Sequence, residues 1–128
     1  MNGKTPWLNA LKAITMTTDK ELLESAAKAA GLVHLTYCEA WNCMAVYNPA
    51  GYFEWDTYWN PTRISKDAMS LITRLQLCVQ GHDDGVTASN VNGTILIEVD
   101  YDSGSESDKA AAALLAITKV AAAIGESL

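Results

Sequence analysis

The stretch from Asp108 to Ile124 constrains the fold more than any other. It is dominated by alanine, with Leu114, Leu115, Ile117, Val120 and Ile124 as its larger apolar anchors. Alanine has the highest helix propensity, and its single methyl group lets a neighbouring element come close. A helix of this kind reads as core, lying tightly on a sheet, and not as a membrane or cofactor helix. Gly125 is placed to stop it.

The rest of the chain alternates between two periods. Thr18-Asp19-Lys20-Glu21 is a capping box, and Leu22, Leu23, Ala26, Ala27 and Ala30 form one stripe ahead of Gly31, which predicts a helix over 19–30. From Val33 the period drops to two: Val33, Leu35 and Tyr37 oppose His34, Thr36 and Cys38, the pattern of a strand. Glu39 to Asn42 is polar enough for a turn, Cys43 to Tyr47 reads as the returning strand, and Asn48-Pro49-Ala50-Gly51 turns the chain into Tyr52 to Trp55. Pro61 and Ser65 introduce a helix through Ala68, Met69, Leu71, Ile72 and Leu75, with Asp67 in its first turn, where the dipole favours a carboxylate. Leu77 and Val79 then alternate with Gln76, Cys78 and Gln80, and Gly81 to Gly85 is a turn. Val86 to Ser89 pairs with Thr94 to Tyr101, whose Ile95, Ile97, Val99 and Tyr101 share a face.

Ahead of all this, Thr5, Pro6, Trp7, Leu8, Leu11 and Ile14 give a short amphipathic helix inside an N-terminal extension, residues 1–15. A single domain, residues 16–128, follows. Its class is α+β: an antiparallel sheet with helices packed on it in an α/β/α layered sandwich.

A chain of 128 residues can bury a continuous core without disulfide or metal staples. Cys38, Cys43 and Cys78 read as small apolar residues in a reducing compartment. His34 with Cys38 and Cys43 would supply three ligands where a closed zinc site takes four, so no metal and no cofactor is expected. No apolar run approaches the roughly 20 residues of a membrane span, and no signal peptide opens the chain. It reads as a cytoplasmic protein with no membrane partner. A formal charge of −6 argues against direct nucleic-acid binding, which needs Lys and Arg to displace counterions from phosphates.

The distribution of that charge is more informative than its sum. Between Leu75 and Asp108 there is no Lys or Arg, while Asp83, Asp84, Glu98, Asp100 and Asp102 all fall there. Such a run is either a solvated face or a docking surface for a basic partner. A second concentration is aromatic, with Tyr47, Tyr52, Phe53, Trp55, Tyr58 and Trp59 close together in sequence. Some of these must turn inward, Phe53 and Trp59 being the natural core residues. Trp55, Tyr58 and Trp59 are the candidates for an interface or a stacking platform.

Catalytic machinery is not legible. His82 lies in Gly81-His82-Asp83-Asp84-Gly85, a composition that suits an exposed turn, and adjacent acids in a turn need not converge on one site. Neither a phosphate loop, nor a dinucleotide fingerprint, nor a zinc-protease helix is present.

Thr18 to Gly31, then Trp59-Asn60-Pro61 with Asp67-Ala68 and Leu71 behind it, and finally Ala110 to Gly125 follow one another in an order that resembles the phage ABA-sandwich domain family. The resemblance spans about Met16 to Leu128. It implies an α/β/α layered fold and a phage or prophage origin, hence action inside a bacterial host cell. It implies no reaction and no catalytic residue.

The leading expectation is therefore a phage accessory protein that is not an enzyme and acts by binding. Its partner would be a host defence protein with a basic groove, inhibited in the manner of an anti-CRISPR or anti-restriction protein. The alternative is a sponge for a small nucleotide signal, with Trp55, Tyr58 or Trp59 stacking on the base and Arg63 or Arg74 holding phosphate. A third is an enzyme degrading such a signal. A homo-oligomer is compatible with any of them.

Overall fold

A computed structural model describes residues 18–128. The expected extension over 1–15, with its amphipathic helix, lies outside the described residues.

Helix α1 (Asp19–Ala29) begins and ends as its sequence dictates. The Thr18 hydroxyl oxygen accepts the Glu21 N–H at 3.3 Å, and the hydroxyl itself donates to the Glu21 carboxylate at 2.7 Å. At the other end Gly31 takes φ +76°, which a side chain would strain. That conformation lets Leu32 N–H reach Ala27 O at 2.9 Å and Gly31 N–H reach Lys28 O at 3.1 Å, the paired closure of a Schellman motif.

The strand expected from Val33 starts later. Leu35 N–H donates back to Leu32 O, so residues 32–35 form a reversal and Val33 is 83% exposed. Strands β1 (Thr36–Cys38), β2 (Cys43–Tyr47) and β3 (Phe53–Trp59) make a first antiparallel sheet in that order. The ladder between β2 and β3 is broken between Met44 and Val46. Thr57 fills the gap: its hydroxyl oxygen accepts Val46 N–H at 2.8 Å and its hydroxyl donates to Glu54 O at 2.6 Å. This irregularity carries β3 four residues past its expected end, as far as Trp59.

Trp59-Asn60-Pro61 forms a buried joint. Asn60 Nδ2 donates to Asn42 O at 2.7 Å, Thr62 N–H donates to Asn60 Oδ1 at 3.0 Å, and Asn60 N–H donates to Asp67 Oδ2 at 2.9 Å. Asp67 sits in the first turn of α2 (Ser65–Leu75), a helix with no capping side chain. Its carboxylate is 7% exposed and is spent on Asn60.

Strands β4 (Cys78–Gly81), β5 (Gly85–Ser89) and β6 (Leu96–Asp100) form a second antiparallel sheet. The class is the expected one, antiparallel strands with helices packed on them, but the strands are divided between two sheets where the sequence suggested one. Register puts Ala88 opposite Ile97 and Val86 opposite Val99 on the inner face, against α3 (Glu106–Glu126). Gly85 is required at its position, since a Cβ there would lie 2.8 Å from Val99 O.

Helix α3 starts at Glu106, ahead of the expected Asp108, because Ser105 caps it by accepting Asp108 N–H at 3.2 Å. It also does not stop at Gly125. That glycine is helical and marks a crossing: a Cβ added to it would fall 1.9 Å from Ser25 O of α1. Helix α3 thus packs on α1 as well as on the second sheet, while α1 carries the first sheet and α2 touches α3. Leu23, Ala26 and Ala27 of α1 and its C-cap Ala30 join Ala112, Ala116, Val120 and Ala121 to Ala123 of α3 in one core. Close helix packing of this kind maximises dispersion contact and leaves little space between the backbones.

Candidate functional site

The second sheet has its inner face on α3, and no other described element packs on its outer face. Because strand side chains alternate, the residues between Ile97 and its inward neighbours point away from the core. Glu98 lies opposite Thr87, and Asp100 opposite Gly85. At the end of this face the β4–β5 turn folds over, held by His82 N–H to Gly85 O at 2.8 Å and by Tyr101 N–H to Asp84 O at 3.0 Å. A hollow of about 400 Å³ results, lined among others by His82, Asp84, Thr87, Glu98 and Asp100. Among the described residues no Lys or Arg lines it. The imidazole Nε2 of His82 and the Thr87 hydroxyl lie 2.9 Å apart at its wall.

Of the acidic candidates, the fold therefore brings Asp84, Glu98 and Asp100 together. Asp83 and Asp102 are exposed nearby in sequence but do not line the hollow. His82 and Thr87 belong to the site and were not singled out from sequence as members of it. The signal for Thr87 was its place two residues from Gly85, on the same strand face.

The aromatic candidates part company on the first sheet. Trp55 is 78% exposed, Tyr58 is half-buried, and Trp59 is 8% exposed and packed into the core. Trp59 is thus withdrawn as a binding anchor: it stands opposite the buried Met44, on the inward side of β3. In its place the fold offers Trp41, exposed in the turn after β1, with its ring centroid 5.9 Å from that of Tyr58. In sequence Trp41 is hidden by its neighbours Glu39 and Asn42, which make the segment read as a plain polar turn.

The two arginines are not gathered round these rings. Arg74 Nη1 donates to Ala30 O at 2.7 Å, tying the last turn of α2 to the C-terminal end of α1, where a cation suits the helix dipole. This is a fastening within the fold, and Arg74 is withdrawn as a phosphate ligand. Arg63, exposed between β3 and α2, stays free to approach a ligand. Comparison with protein-family models, with curated proteins and with solved structures returns no match.

Among the described residues no group of His, Cys, Asp and Glu is arranged to hold a metal ion. His34, which in sequence accompanies Cys38 and Cys43, is exposed in the turn before β1. Among the described residues no helix is long and apolar enough to cross a membrane. What the hollow can do chemically is attract and hold positive charge. Three carboxylates around a concave surface, with His82 and Thr87 as hydrogen-bonding partners, suit a guanidinium or ammonium group.

Proposed function

We propose that the protein acts by binding, presenting the acidic hollow of the second sheet to a basic surface on a protein partner. The observation that carries this reading is the convergence of Asp84, Glu98 and Asp100 on one hollow with no Lys or Arg of the described residues in its lining. A nucleic-acid-binding groove on a host defence protein is the kind of surface such a face fits, and blocking it is the proposed action. The phage accessory role rests on the resemblance of Thr18 to Gly31, Trp59-Asn60-Pro61 and Ala110 to Gly125.

Affinity purification from bacterial lysate supplies the partner, and association kinetics test the surface. Steering by the acids slows association markedly as the Debye length shrinks from about 10 Å at 0.1 M salt to about 3 Å at 1 M. Replacing Asp84, Glu98 and Asp100 by Asn, Gln and Asn lowers the association rate toward the uncharged level while the fold is kept. Wild-type rates in that triple variant would refute the reading.

A second reading has its own observation, the Trp41 and Tyr58 ring pair with Trp55 exposed on the same strand as Tyr58. Such rings can stack on a nucleotide base, with Arg63 as the available cation. Thermal shift across a panel of cyclic and linear nucleotides separates the two, because a ligand that binds only the native state raises its stability by mass action.

A further inference from the structure

Cys38 and Cys43 stand directly opposite one another across β1 and β2, on the last rung before the turn that carries Trp41. Both are buried, 1% and 4% exposed, and both are free thiols. As an opposed pair they project from the same face of the sheet with Cβ atoms about 4.5–5.5 Å apart, and the Cys38 thiol acts electrostatically on that of Cys43. Opposed residues of an antiparallel pair have Cα atoms about 4.5–5.5 Å apart, inside the span of about 4.4–6.8 Å that a disulfide bridges. The third cysteine, Cys78, is exposed on β4 of the other sheet.

We infer that Cys38 and Cys43 are a thiol-modification site, at which a low-molecular-weight disulfide such as oxidised glutathione converts them into one bridge across the hairpin. One protein thiolate attacks a sulfur of the small disulfide, forming a mixed disulfide and releasing one small thiol. The thiolate of the opposed cysteine then attacks the protein-side sulfur of that mixed disulfide and expels the second small thiol. Two protein thiols are oxidised, one small disulfide is reduced, and the two released thiols carry away the two protons.

The register makes the second step intramolecular and fast, since the attacking sulfur is already beside its target. The first step requires exposure. It is met by local opening of β1, a three-residue strand at the edge of its sheet, which lies at the low end of local stability. Burial, and then the neighbouring Cys38, push the Cys43 thiol up to about 11, with the Arg63 guanidinium opposing. The pair is accordingly slow to react at neutral pH, and becomes more reactive as pH rises.

The bridge closes the turn that holds Trp41 against Tyr58, so oxidation fixes one wall of the aromatic surface. This inference is independent of the acidic hollow. Its test uses Cys78→Ser, which removes the exposed thiol and leaves the pair. The folded variant is incubated with oxidised glutathione, quenched in acid and mapped without reduction. The expected product is a monomer lighter by two hydrogens, with Cys38 and Cys43 in one cross-linked peptide, reversed by dithiothreitol. Its rate of formation rises about tenfold per pH unit in the neutral range.

Cys38→Ser and Cys43→Ser, each made in the Cys78→Ser background, should instead stop at a stable glutathione adduct on the remaining thiol. A persistent glutathione adduct on Cys78→Ser itself, or a bridge that forms only after unfolding in urea, would overturn the inference.

Discussion

At the residue scale, Asp67 shows how a single acid can work against its own charge. Burial pushes its carboxyl above the ordinary value, and the Asn60 N–H and then Lys66 pull the other way without cancelling the rise. A carboxyl with a raised folded-state pKa holds its proton more tightly in the folded chain than in the unfolded one. The stability it adds is therefore whole below the ordinary carboxylate range and is lost as pH rises through the raised folded value. Asp67→Asn keeps an acceptor for Asn60 N–H without the charge, so it should flatten this dependence and match or exceed wild type at neutral pH. Asp67→Ala strands a buried N–H and should cost about 1–3 kcal/mol. Urea denaturation of the three proteins from about pH 3 to about pH 8 measures both effects. An unchanged slope in Asp67→Asn would mean that another group carries the pH dependence.

At the scale of elements, the depth of each strand and helix sets what a truncation costs. Ile97 faces α3 from β6, an edge strand of the second sheet, and is buried, so Ile97→Ala should cost about 2–5 kcal/mol. Leu114 keeps part of its surface in water, and Leu114→Ala should fall at or below about 2 kcal/mol. Equilibrium unfolding that reversed this order would move the core toward the start of α3. The elements best read from sequence are those fixed by neighbours a few residues away. Thr18, Glu21 and Gly31 are of that kind, and so is the pairing of β5 with β6. What sequence could not show depends on distant partners. Val33 to Leu35 alternates like a strand, but the Schellman closure of α1 and the turn after it consume those residues. Trp55 and Trp59 share a strand parity, yet the gap that Thr57 fills leaves one in water and the other in the core. The acidic run was legible as charge, whereas its convergence on one hollow needed the pairing of Glu98 with Thr87 and of Asp100 with Gly85.

At the scale of the whole molecule, the two sheets are held together through the crossing of α1 and α3 at Gly125. Alanine in a helix is favoured over glycine by about 1 kcal/mol, so Gly125→Ala would stabilise an isolated helix. Here the added methyl would lie 1.9 Å from a backbone oxygen, which cannot swing aside as a side chain could. Overpacking of this kind costs about 1–3 kcal/mol or more, and it outweighs the gain in propensity. Calorimetry should therefore find Gly125→Ala less stable than wild type, and an equal or higher melting temperature would show that the helices part without loss. The Ser25 hydroxyl donates to the Glu126 carboxylate at 2.8 Å beside this point and ties the two helices at the rim of the crossing. The crossing thus limits side-chain volume, while the outer face of the second sheet carries no such ceiling. A lineage built on this frame can exchange the charges and rings it shows to others while its interior stays pinned by size, so that what it meets can drift much faster than how it is made.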